Sequence, residues 1–137
     1  MLSVGDILRM NEYVVSPGRK TFAIMQEDGN FVVYRGSGPS DNQGFVWGSV
    51  QLGKYASRQG NYYATMQDDG NFVVYRGSGP NDNQGFVWGS VQGGAYAAKL
   101  GRYYAVMQDD GNFVVYHGSG PSDNQGFVWG SVQSVAR

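Results

Sequence analysis

Residues 21 to 34 read TFAIMQEDGNFVVY, two apolar runs of strand-forming residues on either side of a polar cluster with one glycine. Such a pattern predicts a β-hairpin, and the length of its turn decides which side chains share a face. A two-residue turn at Asp28 and Gly29 would put Gln26 opposite in facing to Asn30, Val32 and Tyr34, dividing the polar letters between core and solvent. A three-residue turn over Glu27, Asp28 and Gly29, with Gly29 left-handed, pairs Gln26 with Asn30 and Ile24 with Val32. Ala23, Met25, Phe31 and Val33 then make one wholly apolar face. Gln26, Asn30, Val32 and Tyr34 make the other, with Asp28 at its tip. Only the three-residue turn separates the two kinds of residue, so the pattern predicts that register.

The phrase recurs. QEDGNFVVY at 26–34 returns as QDDGNFVVY at 67–75 and 108–116, a step of 41 residues that Trp47, Trp88 and Trp129 also keep. A fixed period implies units that each leave an apolar face for their neighbours to cover. The reading is a single domain over 1–137 with three repeats, about 10–50, 51–91 and 92–132. Met66, Phe72 and Val74 point inward in the second, and Met107, Phe113 and Val115 in the third. In unit one TFAIMQ, NFVVY and GFVWGSV are predicted strands. A fourth strand is expected around DILRMNEYVV, with SVQLGKYA and SVQGGAYA as its later counterparts. RGSGPSDNQG, between Tyr34 and Phe45, reads as a polar loop that Pro39 and its glycines keep irregular.

Composition agrees with an all-β chain: 22 glycines, 10 tyrosines and 7 phenylalanines suit short strands and turns better than helices. Formal net charge is −1, from 10 basic and 11 acidic residues scattered along the chain, so no basic face points to nucleic acid. Absence of cysteine removes disulfides, thiolate nucleophiles and Cys-type zinc sites together. Asp6, Arg9 and Glu12 interrupt what would be the apolar region of a signal peptide, and no apolar run reaches membrane-spanning length.

Core formation explains the inward letters and leaves the outward ones unexplained. Exposed strand positions accept many residue types, yet Gln, Asp, Asn, Val and Tyr stand in every copy while RKTFAIM, GNYYATM and GRYYAVM have diverged. Two amides, a carboxylate and a phenol around a valine offer donors and acceptors beside a small apolar floor. That set suits a sugar, whose vicinal hydroxyls both donate and accept and whose C–H patches pack on apolar groups.

Gln-x-Asp-x-Asn-x-Val-x-Tyr resembles the mannose-binding signature of the bulb-type lectins, found in monocot plants and, as lily-type or pufflectin-like proteins, in fish. All five letters match in all three copies: Gln26, Asp28, Asn30, Val32 and Tyr34; Gln67, Asp69, Asn71, Val73 and Tyr75; Gln108, Asp110, Asn112, Val114 and Tyr116. GDIL near the start and the Trp-containing strand extend the likeness over essentially the whole chain. The resemblance implies a β-prism II fold, three four-stranded antiparallel sheets about a pseudo-threefold axis with the tryptophans near it. It implies that Asp28 and Asn30 take the axial 2-hydroxyl of mannose, Gln26 the 3-hydroxyl and Tyr34 the 4-hydroxyl, with Val32 against the C3 to C4 edge, and likewise in the other copies. It implies no metal, cofactor or catalytic group. Expected partners are mannose-containing glycans and glycoproteins, bound multivalently at up to three sites, with agglutination, a homodimer and defence against microbes among the expectations. The family favours an extracellular or mucosal location, with a cytoplasmic one as the alternative. Plant members usually carry a disulfide and a shorter stretch between the Tyr and the Trp; this chain has no cysteine and inserts GSGPSDNQG. Asp41, Asp82 and Asp123, each followed by Asn, are read there as turn formers, with extra sugar contacts as the alternative.

Rival readings fit less of the chain. A β-trefoil also has three units, but its usual Gln-x-Trp is replaced here by Phe-Val-Trp. An enzyme would need more than His117, the only histidine, at a position where the other units have Arg35 and Arg76. Glu27 and Asp28 are neighbours at a turn and poorly placed to flank a glycosidic bond, and QDDGN lacks the spaced carboxylates of an EF-hand. A structural or protein-interaction β-prism without sugar binding is the remaining alternative.

Overall fold

The computed structural model describes residues 1–49, 60–90 and 101–132. Each copy of the phrase forms the expected hairpin: β4 (Thr21–Met25) with β5 (Phe31–Gly38), β7 (Tyr62–Met66) with β8 (Phe72–Gly79), and β10 (Tyr103–Met107) with β11 (Phe113–Gly120). Met25 pairs with Phe31 and Ile24 with Val32, the register of a three-residue turn. The Gln26 amide donates to the Asn30 carbonyl at 3.1 Å, and the Gly29 amide to the Gln26 carbonyl at 3.2 Å. Gly29, Gly70 and Gly111 have φ of +87°, +86° and +90°, a conformation open to glycine at little cost.

The third strand of each sheet departs from expectation. β6 (Asp41–Gly48), β9 (Asp82–Gly89) and β12 (Asp123–Gly130) begin inside the stretch read as irregular. The β5–β6 ladder continues to the pair Gly38 and Asp41, leaving only Pro39 and Ser40 at the tip. Bulges absorb what the sequence pattern took for a break, because one extra residue bends a strand without ending the ladder. Gly36 makes one bulge possible: its φ is +119°, and a Cβ there would run into the Asp41 carbonyl oxygen.

The fourth strands come from one segment. β3 (Tyr13–Val15) completes the sheet β3-β4-β5-β6, as expected for unit one. β2 (Ile7–Arg9) completes β2-β7-β8-β9 and β1 (Leu2–Ser3) completes β1-β10-β11-β12. The counterparts SVQLGKYA and SVQGGAYA lie almost wholly outside the described residues; the fourth places of their sheets are held by β2 and β1. All strand pairs are antiparallel. Leu2, Leu8 and Val14 sit opposite Ala105, Ala64 and Ala23, so this arm places one aliphatic side chain under each sheet. Between them the Asp6 carboxylate accepts from the Ser3 amide at 2.8 Å and the Glu12 carboxylate from the Arg9 amide at 2.7 Å, closing the turns.

The three sheets meet on an aromatic core. Phe31, Phe72 and Phe113 contact one another with ring centroids 4.9 to 5.0 Å apart. Trp47, Trp88 and Trp129 form a second triad, edge to face, at 5.5 to 5.6 Å. Each ring meets two equivalents, as a pseudo-threefold axis requires. Met25, Met66 and Met107 fill the buried space beside the phenylalanines. This is a β-prism II arrangement, and it turns the second face of every hairpin outward.

Candidate functional site

The outer face of each hairpin carries the repeated polar letters. Gln26 Nε2 donates to the Tyr34 hydroxyl at 2.5 Å, Gln67 to Tyr75 at 2.5 Å and Gln108 to Tyr116 at 2.7 Å. These pairs bridge adjacent strands and fix each phenol oxygen beside an amide. Asp28 Oδ1 accepts from the Asn30 amide at 3.0 Å; Asp69 and Asn71 repeat this at 3.0 Å, Asp110 and Asn112 at 2.9 Å. The carboxylate is thereby aimed along the turn toward the asparagine.

Three serines that the sequence reading passed over orient the asparagines. Ser49 Oγ accepts from the Phe31 amide at 3.0 Å and donates to Asn30 Oδ1 at 3.2 Å. Ser90 and Ser131 do the same for Asn71 and Asn112. The Val132 amide adds a second bond to Asn112 Oδ1 at 3.0 Å. Because the oxygen is held inward, the rotation of the amide plane is set. Gly48 leaves room for it, since a Cβ there would lie 3.1 Å from the Asn30 amide. The signal was the Ser after each Trp-Gly, present in all three copies.

The valines of the signature lie on the outer face but are only 1% exposed. They support the surface without forming much of it. Apolar surface at the edge comes instead from Phe45, Phe86 and Phe127, 57%, 55% and 49% exposed. Each ring stands edge-on to the signature tyrosine, with centroids 6.3 to 6.4 Å apart. In unit two it also reaches the glycine that holds Asn71, with Phe86 Cε1 3.2 Å from where a Cβ on Gly89 would sit.

The long β5–β6 hairpin and its equivalents wall the opposite side. Asn83 Nδ2 donates to the Tyr63 hydroxyl at 3.0 Å and Asn124 Nδ2 to the Tyr104 hydroxyl at 2.9 Å, while burial pushes both phenols above their ordinary pKa. The side-chain oxygens of Asn42, Asn83 and Asn124 accept from the amides of Gly44, Gly85 and Gly126, the Asx-turn geometry.

Asp41, Asp82 and Asp123 brace the hairpin. Their carboxylates accept from the side chains of Gln43, Gln84 and Gln125, and from both the amide and the hydroxyl of Ser37, Ser78 and Ser119. These bonds, led by the glutamine's, favour the charged form and hold each carboxyl below its ordinary value of 3.8. A depressed folded-state pKa contributes stability that is present above the unfolded value and lost as pH falls through the folded one. The amide signals of Ser37, Ser78 and Ser119 should therefore shift on acidification with a midpoint below 3.8. Movement centred above that value in an NMR titration would contradict this bracing.

No protein-family model matches the chain, and no curated protein does. Solved structures do. A monomeric monocot mannose-binding lectin from Gastrodia elata is 32% identical, with 96% of each chain covered and a TM-score of 0.65. The Polygonatum cyrtonema lectin, solved with a monomannoside, is 28% identical over 88% of this chain and 96% of that one, with a TM-score of 0.58. The mannose-specific bulb lectin of bluebell, Scilla campanulata, is 27% identical over 86% and 91%, with a TM-score of 0.59. With three antiparallel sheets in a prism and this identity over nearly its full length, the chain belongs to the monocot mannose-binding, bulb-type lectins. That family is one of lectins and not of enzymes.

Proposed function

We propose that the protein binds mannose and mannose-rich glycans through the outer faces of its three hairpins. The observation that carries this is the repeated side-chain constellation: Gln to Tyr, Asp to Asn and Ser to Asn hydrogen bonds recur in each unit with nearly the same distances. In each site Asp and Asn take the 2-hydroxyl of mannose, Gln the 3-hydroxyl and Tyr the 4-hydroxyl. Asn Oδ1 is held by Ser, so Nδ2 is its donor to the sugar. With the valine covered, the C–H face of the sugar meets the exposed phenylalanine ring instead.

A shallow polar site exchanges water for sugar hydroxyls at little net gain, so one site binds with a Kd of about 1 mM, roughly −4 kcal/mol. Several sites on one rigid prism engage branched glycans together, and avidity raises apparent affinity by about a hundredfold where the geometry fits. The test is a titration with methyl α-mannoside, following Asn side-chain amide signals by NMR. Millimolar sugar should shift those of Asn30, Asn71 and Asn112. Their silence would replace this reading with that of a structural β-prism.

A further inference from the structure

We propose that each mannose site is held in shape by the neighbouring sheet, through the first residue of β7, β10 or β4: Tyr62 positions the unit-one site, Tyr103 the unit-two site and Thr21 the unit-three site. This rests on the lectin reading and deepens it by naming positioning residues that lie outside the signature. The three stand at equivalent places, 41 residues apart, and all are buried. Tyr62 and Tyr103 point into the core, away from the outer face of their own units. The Tyr62 ring lies instead against the turn of the preceding hairpin, where a Cβ on Gly29 would sit 2.9 Å from its Cε1 and Cζ. Tyr103 meets Gly70 in the same way at 3.0 Å, and the His117 ring backs it with centroids 4.8 Å apart. Both glycines are buried, although Glu27 and Asp68 in the same turns are exposed.

Each glycine is flanked by letters that meet the sugar. Asp28 and Asn30 stand on either side of Gly29, joined by the hydrogen bond from the Asn30 amide to Asp28 Oδ1, and Asp69 and Asn71 stand likewise around Gly70. The ring presses on the turn from the core side while the carboxylate is offered on the outer side, so the ring fixes the backbone that aims it. A left-handed glycine held only by its own turn samples many conformations, and an aromatic ring in contact with it removes most of them. Unit three reaches the same end with hydrogen bonds. Thr21 Oγ1 donates to the Gln108 carbonyl at 2.7 Å, the carbonyl that also accepts from the Gly111 amide at 3.0 Å. The Gly18 amide donates to Asp109 Oδ1 in that turn at 2.8 Å. The order is cyclic: unit two holds the site of unit one, unit three that of unit two, and unit one that of unit three. A site and its support therefore lie in different repeats.

The test is a methyl α-mannoside titration of the intact protein, read separately at Asn30, Asn71 and Asn112 by NMR. Fixing the backbone of one residue is worth about tenfold in the population of the binding-ready turn. Tyr62→Ala should therefore raise the Kd at Asn30 about tenfold and leave Asn71, in its own unit, and Asn112 within about twofold. Tyr103→Ala should move the loss to Asn71. Tyr62→Phe keeps the ring and should hold Asn30 within about twofold of the unaltered protein. Thr21→Val keeps the shape of the side chain, opens no cavity and removes one hydrogen bond, so binding should weaken about fivefold at Asn112 alone. A merely structural role would weaken all three sites together, or the site of the mutated unit. Either pattern, or an unchanged Asn30 in Tyr62→Ala, would overturn the positioning while leaving the lectin reading intact. Silence of all three asparagines in the unaltered protein would overturn both.

Discussion

Replacing Phe72 by Ala should lower the free energy of unfolding by about 3–5 kcal/mol, the range for truncating a fully buried phenylalanine. Phe72 is fully buried and touches Phe31 and Phe113 at 4.9 and 5.0 Å, so removing it opens a cavity where all three sheets meet. The loss cannot be relieved by one sheet relaxing inward, because the other two phenylalanines are each fixed by their own hairpin. Natural domains are stable by only about 5–15 kcal/mol, so this change alone brings the protein near its unfolding threshold. Phe86 is the internal control: same residue type, same unit, but exposed, and its replacement by Ala should cost under about 1 kcal/mol. Urea unfolding followed by the fluorescence of the tryptophan triad measures both. Equal losses at the two positions would mean that the phenylalanine triad does not hold the prism together.

The triple change Asn30→Asp, Asn71→Asp and Asn112→Asp should abolish glycan binding while leaving the fold intact. The new carboxylate retains an oxygen for Ser49, Ser90 or Ser131 to donate to, so the inward hydrogen bond survives. What changes is the atom offered to the sugar: a donating Nδ2 becomes an acceptor. Asp28, Asp69 and Asp110 stand two residues away and already orient toward the same turn, so a second negative charge also disfavours the pair. Each single change should reduce binding of a mannose-rich glycoprotein more steeply than binding of methyl α-mannoside, because it removes one arm of a multivalent contact. The triple variant should lose glycoprotein binding at least a hundredfold, to about the detection limit of a surface-binding assay. Retained binding with an unchanged circular dichroism spectrum would sink the assignment of these asparagines.

The hairpin and its two faces were legible in the sequence because period-2 alternation and a glycine at the third turn position each permit one register only. The outward polar letters were legible for the same reason, once the inward ones were accounted for by packing. Phe45 was not. Strict alternation puts Phe45 and Trp47 on the same face, but Val46 forms a bulge between them, with Tyr34 pairing with Phe45 and Val33 with Trp47. One extra residue sends the tryptophan to the axis and the phenylalanine to the rim, and no local pattern marks it. The sheet-completing roles of β1 and β2 in the N-terminal arm escaped for a different reason. The strands of the arm are two or three residues long, too short for any periodicity, and their signal was the six-residue spacing of Leu2, Leu8 and Val14 with an acidic turn residue between each pair. The orienting serines were in view as part of GSV and lacked only a partner until the fold placed Asn30 over Gly48.

The arm that crosses all three sheets carries a kinetic consequence. Leu2 pairs with Ala105, so a strand near the start of the chain waits for more than a hundred residues before its partner exists. Contacts this distant in sequence slow folding, because chain entropy is spent before they form. The hairpins of units one and two are complete in sequence before β10 is made, and β10 has β11 on one side and only the arm's β1 to cover the other. Until Leu2 and Ser3 dock, that edge is open to a strand from another molecule. The same clasp that closes the prism thus sets the interval in which two nascent chains can exchange arms.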